Sequence, residues 1–365
     1  MTTVVHCADL HLTSGTESGY SLNVLDEILA LAESEKAEAL IVAGDLFDSF
    51  DDLVALRAEF RERIAKFCGK SAVVFVPGNH DMLRKGNRTL SSYDLAPAIQ
   101  MYQEPFGQKT FCRFEILSIP HQSSYAGYNE WKVSKKSHPR IVVFHGLVNG
   151  MDIYTGPETL DDEEGGSAVD TDIFARCEAD YAALGHIHTK KLKTFGNLIA
   201  GYPGSARVWR RGESGARGVN ILRLGDMIEV EWAPLKSAGE YRFYDLHVGM
   251  KGDLPGLDEL KKAWGVNDWI GINLRGIVES ESVASNLSES IISGSRGLVR
   301  SIEVSRDAIR PVAGILGQPI ARQFVEKMKE REQDAAEKGS HTVWAKALEM
   351  GLSEIAQAVE EASND

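Results

Sequence analysis

Apolar and polar positions divide the first two-thirds of this 365-residue chain into short apolar runs and longer helical repeats. Six runs rich in valine, isoleucine and aromatic residues are mostly apolar throughout, which predicts strands covered on both faces. They span residues 2–8, 39–44, 72–77, 111–120, 140–144 and 181–185. Residues 21–35 and 51–67 carry apolar side chains at helical spacing. This alternation predicts a layered α/β domain, which later strands at 197–202, 218–224 and 227–234 complete.

The pattern changes near residue 236, so we predict a first domain at 1–236. Residues 240–309 then predict a small α+β capping domain in the order strand, helix, strand, helix, strand. A linker at 310–317 leads to a predicted helical hairpin at 318–362. Its two helices are expected at 319–337 and 342–362.

Each helix of the predicted hairpin carries an apolar stripe. The stripes consist of Ile320, Phe324 and Met328 on the first helix and of Trp344, Leu348, Leu352, Ile355 and Val359 on the second. The stripes can pack on each other and on the capping domain. Alternatively, they leave an apolar surface on which another protein docks.

Composition narrows the class of protein. No apolar run approaches the ~18–20 residues of a membrane span, and the first residues lack the basic and apolar segments of a signal peptide. The four cysteines form no C-x-x-C pair, which favours a reducing compartment and argues against a zinc–thiolate site. We therefore expect a cytoplasmic protein without a membrane partner. The net charge of −13 means that any DNA surface must be a local basic patch or come from a partner.

Five short polar clusters follow predicted strands. They are Asp9-Leu10-His11, Gly44-Asp45, Gly78-Asn79-His80-Asp81, His145-Gly146 and Gly185-His186-Ile187-His188. Ligand sites of α/β sheets gather beyond the carboxyl ends of the strands, so all five clusters can converge on one edge. Each cluster alone would usually be incidental, but the ordered set is hard to obtain by chance.

The chemistry of these clusters indicates a metal centre. Carboxylate, imidazole and amide oxygen suit Mn, Fe or Zn. A spacing of two within Asp9-x-His11 and His186-x-His188 places both members on one side of an extended segment.

Taken in order, the five clusters resemble the signature of the calcineurin-like metallophosphoesterase superfamily. The resemblance implies a two-sheet α/β sandwich with a dinuclear centre of two divalent metal ions. It assigns Asp9, His11 and His188 to a first metal, Asn79, His145 and His186 to a second, and Asp45 to both. Such a pair of ions clamps an in-line displacement at phosphorus.

The departing alkoxide of such a displacement needs a proton. His80 adjoins Asn79 and is not needed as a ligand in this assignment, so it is the natural general acid, with Asp81 expected to orient it and raise its pKa.

Within the superfamily, the chain resembles the DNA-repair exonuclease branch, the nuclease component of SbcCD-type complexes. The similarity rests on Asp9-Leu10-His11-Leu12, Gly44-Asp45-Leu46-Phe47-Asp48, Tyr202-Pro203-Gly204-Ser205 and the order of the domains. It implies a Mn-dependent DNA exonuclease and endonuclease in double-strand-break repair. It also implies a homodimer whose C-terminal helices dock on the coiled coils of an SMC-like ATPase. This chain has no phosphate-binding loop of its own.

The substrate contacts are predicted from the same branch and from local charge. We expect them at Asp48, Arg84, Tyr202, Ser205, Arg207 and Arg210. Many members of the branch carry a second histidine or a Ser-Arg-Pro run after the Gly-Asp cluster, where this chain has Asp48-Ser49-Phe50-Asp51. Basic residues between 185 and 217 interleave with Trp209, a residue type that can stack on a base.

Two other functions fit the same clusters. One is a small-molecule phosphodiesterase, for instance on cyclic nucleotides, with the same two metals. The other is a non-catalytic scaffold protein whose metal site is vestigial. The capping domain and the basic stretch favour the nuclease, and the complete ligand set argues against the scaffold.

Overall fold

The computed structural model describes residues 1–81, 84–85, 88–121, 125, 127–152, 168–331 and 341–364. The chain forms two compact units, Met1–Glu240 and Tyr241–Asp365. The segment at 318–362, which we expected as a third part, belongs to the second unit. The side chain of Arg84 and the predicted helix end at 332–337 lie outside the described residues.

The first unit contains fourteen strands and three α-helices within the described residues. The strands are β1 (Thr2–Cys7), β2 (Ala39–Ala43), β3 (Ala72–Val76), β4 (Arg84–Lys85), β5 (Arg88–Thr89), β6 (Ile99–Gln100), β7 (Gly107–Thr110), β8 (Glu115–Ile119), β9 (Arg140–His145), β10 (Tyr181–Gly185), β11 (Lys191–Phe195), β12 (Leu198–Tyr202), β13 (Gly218–Leu224) and β14 (Ile228–Pro234). The helices are α1 (Ser18–Ser34), α2 (Phe50–Cys68) and α3 (Asp172–Arg176).

Two six-stranded sheets form the framework, in the orders β14-β13-β1-β2-β3-β6 and β11-β12-β10-β9-β8-β7. The central strands β1, β2 and β3 run parallel in the first sheet, as do β8, β9 and β10 in the second. The two-sheet α/β fold class predicted from the sequence is confirmed.

One predicted strand is divided in the structure. Residues 111–120 contain a turn at 111–114, closed by the Phe111 N–H donating to the Phe114 carbonyl at 2.8 Å. Strand β8 begins only at Glu115. Aromatic rings occupy both ends of the turn and stack, with centroids 4.5 Å apart. The prediction from apolar content alone therefore included the turn in the strand that follows it.

Apolar packing fills the space between the sheets and covers their outer faces. Val4, Ile41 and Val74 of the first sheet meet Ile141 and Ala183 of the second. Helices α1 and α2 cover the outer face of the first sheet, and α3 with neighbouring loops covers that of the second. Both central sheets are therefore buried on two faces, which explains the continuous apolar runs.

Helix α2 begins where the sequence provides a cap. The Ser49 side chain accepts a hydrogen bond from the Asp52 N–H at 3.2 Å, as expected at a helix N-terminus. Leu53, Phe60 and Ile64 recur on one face and are buried. This helix fixes the end of the loop that contains Asp45.

The second unit has a parallel three-stranded sheet. Its elements are β15 (Tyr241–His247), α4 (Leu257–Lys261), β16 (Trp269–Val278), α5 (Glu281–Ser293), β17 (Ser301–Pro311), α6 (Val312–Ile315), α7 (Pro319–Glu330) and α8 (His341–Asn364). The predicted linker at 310–317 is wrong. Pairing with β16 extends β17 to Pro311, and α6 follows at once.

Most of the apolar stripe residues that the structure describes pack inside the second unit, although Ile320 is 59% exposed. Phe324 of α7 packs with Leu348 and Leu352 of α8 and with Ile277 of β16. A Cβ at Gly351 would lie 2.1 Å from the Phe324 ring, so a glycine permits this close approach. The hairpin therefore helps to form the core of its own unit.

No helix of the described residues is long and apolar enough to cross a membrane.

Candidate metal centre

The five polar clusters lie at the carboxyl ends of β1, β2, β3, β9 and β10. Their backbones leave the extended conformation abruptly, since φ is +52° at Asp9, +44° at His11, +50° at Asp45 and +96° at His186. Left-handed backbone is uncommon for residues with side chains and clusters at functional sites. Backbone hydrogen bonds hold these turns, with Asp9 N donating to Gly44 O at 3.1 Å and His11 N to Asp45 O at 3.0 Å.

Two glycines allow the loops to approach each other. A Cβ at Gly44, where φ is +86°, would lie 1.9 Å from His145 Nδ1. At Gly185 it would lie 1.8 Å from the Ala43 carbonyl oxygen. A side chain at Gly44 would displace His145, and one at Gly185 would displace strand β2. The two glycines therefore allow these segments to lie this close together.

Asp9, His11 and His188 form one group of ligand atoms, which we call position 1. The Nε2 atoms of His11 and His188 are 3.3 Å apart, and Asp9 Oδ1 is 4.0 Å from His188 Nε2. Two imidazole nitrogens that bind one ion at about 2.1 Å each lie about 3.0–3.4 Å apart at tetrahedral or octahedral angles. The observed spacing therefore fits a shared cation.

We call the group of Asn79, His145 and His186 position 2. It lies on the other side of Asp45, which we expect to bind both ions. Asp45 Oδ2 is 3.2 Å from His145 Nε2 and 4.0 Å from His11 Nε2. His145 Nε2 is also 2.9 Å from Asn79 Oδ1, and the rings of His145 and His186 are 5.3 Å apart. The structure thus brings together the seven side chains assigned to metal ions from the sequence.

Buried negative charge also fits cations at this place. Burial raises the pKa of Asp9 to about 6, although His145 and His188 oppose the shift. Burial and the neighbouring Asp45 carboxylate raise the pKa of Asp81 to about 7. Burial would lower the pKa of His145, but Asp45 outweighs it and raises this pKa to about 9. Several carboxylates share one buried region, and divalent cations supply the charge that they need.

The His80 ring has a defined orientation. Its Nδ1 lies 2.8 Å from the Asp48 carbonyl oxygen, so Nδ1 carries the proton and donates it. The His80 backbone N–H donates to Asp45 Oδ1 at 3.0 Å. Nε2 is therefore the ring nitrogen that this hydrogen bond does not use, which suits the general acid expected from the sequence.

Asp81 does not orient His80 in the expected way. Its carboxylate accepts hydrogen bonds from the backbone N–H groups of Phe47 at 3.1 Å, Gly78 at 2.9 Å and Leu46 at 3.4 Å. These bonds tie the loop after β3 to the loop after β2. The residue that orients His80 is Asp48, through its carbonyl oxygen, so Asp81 positions the loops instead.

Three of the predicted substrate contacts are wrong, because their side chains are buried and bonded within the protein. Tyr202 donates its hydroxyl to the Gly146 carbonyl at 2.8 Å. Ser205 donates to the Arg207 carbonyl at 2.9 Å. The Arg207 side chain donates to the carbonyl before His11, at 3.0 Å from Nε, and to that of His11 itself, at 2.6 Å from Nη2. All three stabilise the loops of the site.

Trp209 covers His11 and is itself covered by Arg210, so it does not form an open stacking platform. The Trp209 ring stacks on the His11 ring with centroids 3.9 Å and planes 3° apart. The Arg210 guanidinium lies 4.0 Å from the same indole. Two groups cannot share one face at these distances, so both faces are covered. Trp209 therefore supports a ligand histidine and does not present a face to a base.

Glu213 is a site residue that the sequence reasoning counted only as a charge. Its Oε1 contacts His188 Nδ1, and its Oε2 accepts a hydrogen bond from the Trp209 backbone N–H at 2.9 Å. Asp48, predicted to contact substrate, places Oδ1 3.3 Å from His11 Nδ1. Carboxylates behind ligand histidines fix the ring and make it a better ligand. The signal in the sequence that could have identified Glu213 is its position as an acidic residue after a basic stretch.

A model of the calcineurin-like phosphoesterase family matches residues 2–190 of this chain, which is more than half of its length and includes all five clusters. This chain belongs to the calcineurin-like phosphoesterases. The family consists of metal-dependent hydrolases with a dinuclear divalent metal site, and the clusters described above are candidate ligand groups for it in this chain.

One curated relative is the SbcD component of the SbcCD nuclease of Bacillus subtilis, 32% identical over 84 residues. That match covers 21% of this chain and 22% of the relative, so it spans about a fifth of either protein.

Several solved structures are similar to this calcineurin-like phosphoesterase at low sequence identity. TT1561 of Thermus thermophilus is 14% identical with a TM-score of 0.38, covering 60% of this chain and 93% of its own. GAP50 of Plasmodium is 15% identical with a TM-score of 0.42, covering 66% and 86%. A dimetal phosphatase from Danio rerio is 11% identical with a TM-score of 0.40, covering 63% and 95%.

Proposed function

We propose that this calcineurin-like phosphoesterase is a Mn-dependent DNA nuclease of double-strand-break repair that works with an SMC-like ATPase. The observation that carries the proposal is His80, held by the Asp48 carbonyl at 2.8 Å beside the grouped ligands. Bound divalent cations lower the pKa of water and neutralise charge on phosphoryl oxygens. The Nε2 atom of His80 gives a proton to the departing alkoxide, which a phosphodiester requires.

DNA as the substrate is supported by a relative and by local charge. The B. subtilis protein that resembles 84 residues of this chain is named as part of a nuclease. Lys190 and Arg211 are exposed at the two ends of the segment that contains Trp209, and Lys191 and Arg210 are half-buried there. Lys190 and Lys191 follow His188 closely in the chain, and the four cations would supply the local basic surface that the net charge of −13 makes necessary.

A second candidate is a small-molecule phosphodiesterase, for instance on cyclic nucleotides. The observation in its favour is that Arg207 and Arg217 are buried and donate to protein carbonyls, among them His11 and His188. These two basic residues therefore do not face a DNA backbone. The scaffold hypothesis is less favoured, since ligand atoms of seven residues gather at one edge of the sheets.

The substrate experiment separates these functions. Chain stripped of metal with EDTA is incubated with single-stranded DNA, duplex DNA or cyclic nucleotides, in Mn²⁺, Mg²⁺ or neither. We expect DNA cleavage in Mn²⁺ that stops in EDTA. The matched control is His138→Ala, which removes a half-buried histidine outside the five clusters. Turnover of cyclic nucleotides without DNA cleavage would replace the proposal with the second candidate, and no turnover of either would favour the scaffold.

The partner and the homodimer are part of the same proposal. Val343 and Met350 of α8 lie one heptad apart and are 70% and 60% exposed, so one helix face keeps apolar surface beyond the packed stripes. We expect the double substitution Val343→Glu and Met350→Glu to abolish co-purification with an SMC-like coiled-coil ATPase. The control is Met227→Glu, a methionine of the first unit that is 80% exposed. Unchanged co-purification would exclude this face, and light scattering of the purified chain tests the dimer.

A further inference from the structure

One central strand ends at the same edge as the metal ligands without carrying a ligand cluster. The five clusters follow β1, β2, β3, β9 and β10, whereas β8 is followed by Pro120 and His121. Strand β8 runs parallel to β9, with Ile119 in register with Phe144. The chain after β8 therefore leaves the sheet beside His145, the last residue of β9. Ligand sites gather at this end of parallel strands, so His121 stands at the edge of the metal centre.

A hydrogen bond and electrostatic contacts show which side of the centre His121 occupies. Its backbone N–H donates at 3.1 Å to the carbonyl of Pro77, which stands at the start of the loop after β3. The His121 side chain interacts electrostatically with His145 and Asp45, and it acts on His186 in the same way. These residues are two ligands of position 2 and the carboxylate between the positions. His121 therefore lies beside position 2.

The His121 ring has nitrogen atoms that the protein does not use. The residue is half-buried, and Nδ1 is buried with no hydrogen-bond partner among the residues that the structure describes. Burial and the neighbouring His145 lower the pKa of His121 to about 4, although Asp45 opposes the shift. The ring is therefore uncharged at neutral pH and carries one proton. Buried backbone donors without a partner are rarer than buried backbone acceptors without one, and the same preference places this proton on Nε2.

His80 and His121 lie beside different positions of the metal centre. The ring centroids of His80 and His11, a ligand of position 1, are 4.8 Å apart, whereas His121 interacts with His145 and His186 of position 2. His80 is already assigned to the departing alkoxide. A phosphoryl group also carries negative charge on its non-bridging oxygens, and fixed hydrogen-bond donors stabilise that charge during transfer. An uncharged imidazole N–H beside position 2 suits one of these oxygens.

We propose that His121 donates a hydrogen bond from Nε2 to a non-bridging phosphoryl oxygen of the bound substrate, on the side of position 2. This contact orients the phosphoryl group, and His80 remains the general acid. The inference deepens the proposed function and rests on the part of it that both phosphodiesterase candidates share. It does not depend on DNA, so its failure would leave the outcome of the substrate experiment unchanged.

The test measures phosphate binding to the chain with both ions bound. Bound metal is counted by elemental analysis in Mn²⁺, and inorganic phosphate is then titrated in a calorimeter. His121→Ala should keep both ions and weaken phosphate binding about 10–100-fold, because a hydrogen bond to a charged group is lost. The matched control is His138→Ala, which removes another half-buried histidine and should bind phosphate as the unaltered chain does.

Two amide variants locate the nitrogen that makes the contact. The amide nitrogen of glutamine can stand about where Nε2 of histidine stands, and that of asparagine about where Nδ1 stands, and both are N–H donors. His121→Gln should therefore bind phosphate more tightly than His121→Ala, whereas His121→Asn should not. A structural role of the ring alone would not distinguish the two amides in phosphate affinity at full metal content.

Four results would overturn the inference. They are unchanged phosphate binding in His121→Ala, loss of an ion in that variant, phosphate binding by His121→Asn at least as tight as by His121→Gln, and no phosphate binding by the unaltered chain. Loss of an ion would make His121 a metal ligand. Circular dichroism in EDTA shows whether His121→Ala folds, and if it does not, the comparison of the two amide variants decides.

Discussion

Arg207 allows a decisive test, because sequence and structure give it different roles. A substrate contact would affect only the affinity for DNA. In the structure its side chain is 3% exposed and donates to the carbonyls of Leu10 and His11. The substitution Arg207→Met keeps much of the length and removes every donor. We therefore expect it to destabilise the first unit even when DNA and metal are absent.

The magnitude follows from the bonds that are lost. Two N–H groups of a charged side chain are involved, and a hydrogen bond to a charged group contributes about 1.5–3 kcal/mol. The loss is therefore about 3–6 kcal/mol. For a unit of about 150–250 residues, each kcal/mol shifts Tm by about 2–4 °C, so Tm should fall by about 6–24 °C.

The assay is thermal unfolding followed by circular dichroism in EDTA, so that metal binding does not contribute. The Tm of Arg207→Lys should lie between those of the unaltered chain and Arg207→Met, since lysine keeps the charge but not the planar fork of donors. Arg211→Met is the control, because Arg211 is exposed in the same loop and should change stability by less than about 0.5 kcal/mol. An unchanged Tm with a raised KM for DNA would show that Arg207 contacts substrate after all.

Three further predictions concern the site and the sheets. His80→Ala should keep both metals and lower the cleavage rate about 10²–10⁴-fold, and loss of metal on elemental analysis would mean that His80 is a ligand. Gly44→Ala should lower the urea midpoint, because its Cβ would meet His145 Nδ1 at 1.9 Å and its φ of +86° strains a side chain by about 1–2 kcal/mol; an unaltered midpoint would refute this. Burial would raise the pKa of Glu115, but hydrogen bonds from Ser137 and Arg140 outweigh it and lower this pKa from 4.5 to about 2. Its folded pKa is depressed, so its stabilisation is complete above pH 4.5 and is lost as the pH falls toward about 2. The urea-unfolding difference between unaltered chain and Glu115→Gln should shrink over that range, and a constant difference would contradict the assignment.

Local patterns were enough to predict the framework and to locate the polar side chains that meet at the candidate site. Continuous apolar runs indicated strands buried on both faces, and two packed sheets with helices outside them have this pattern. The polar clusters could be located because each directly follows such a run. Parallel strands such as β1, β2 and β3 end at one edge of their sheet, so residues far apart in the chain are brought together by a rule that the local sequence already contains.

The partners of those ligands depended on the tertiary structure. Glu213 lies behind His188 and Trp209 lies on His11 because a loop folds back over the strand ends. Arg207 is basic in the sequence, but burial commits its donors to backbone carbonyls. A charge or an aromatic ring in a loop has the same sequence signal whether it faces solvent or a ligand. Its role is set by distances across the fold, which a strand pattern does not specify, and this is why the sequence determined the ligands and only the structure decided what supports them.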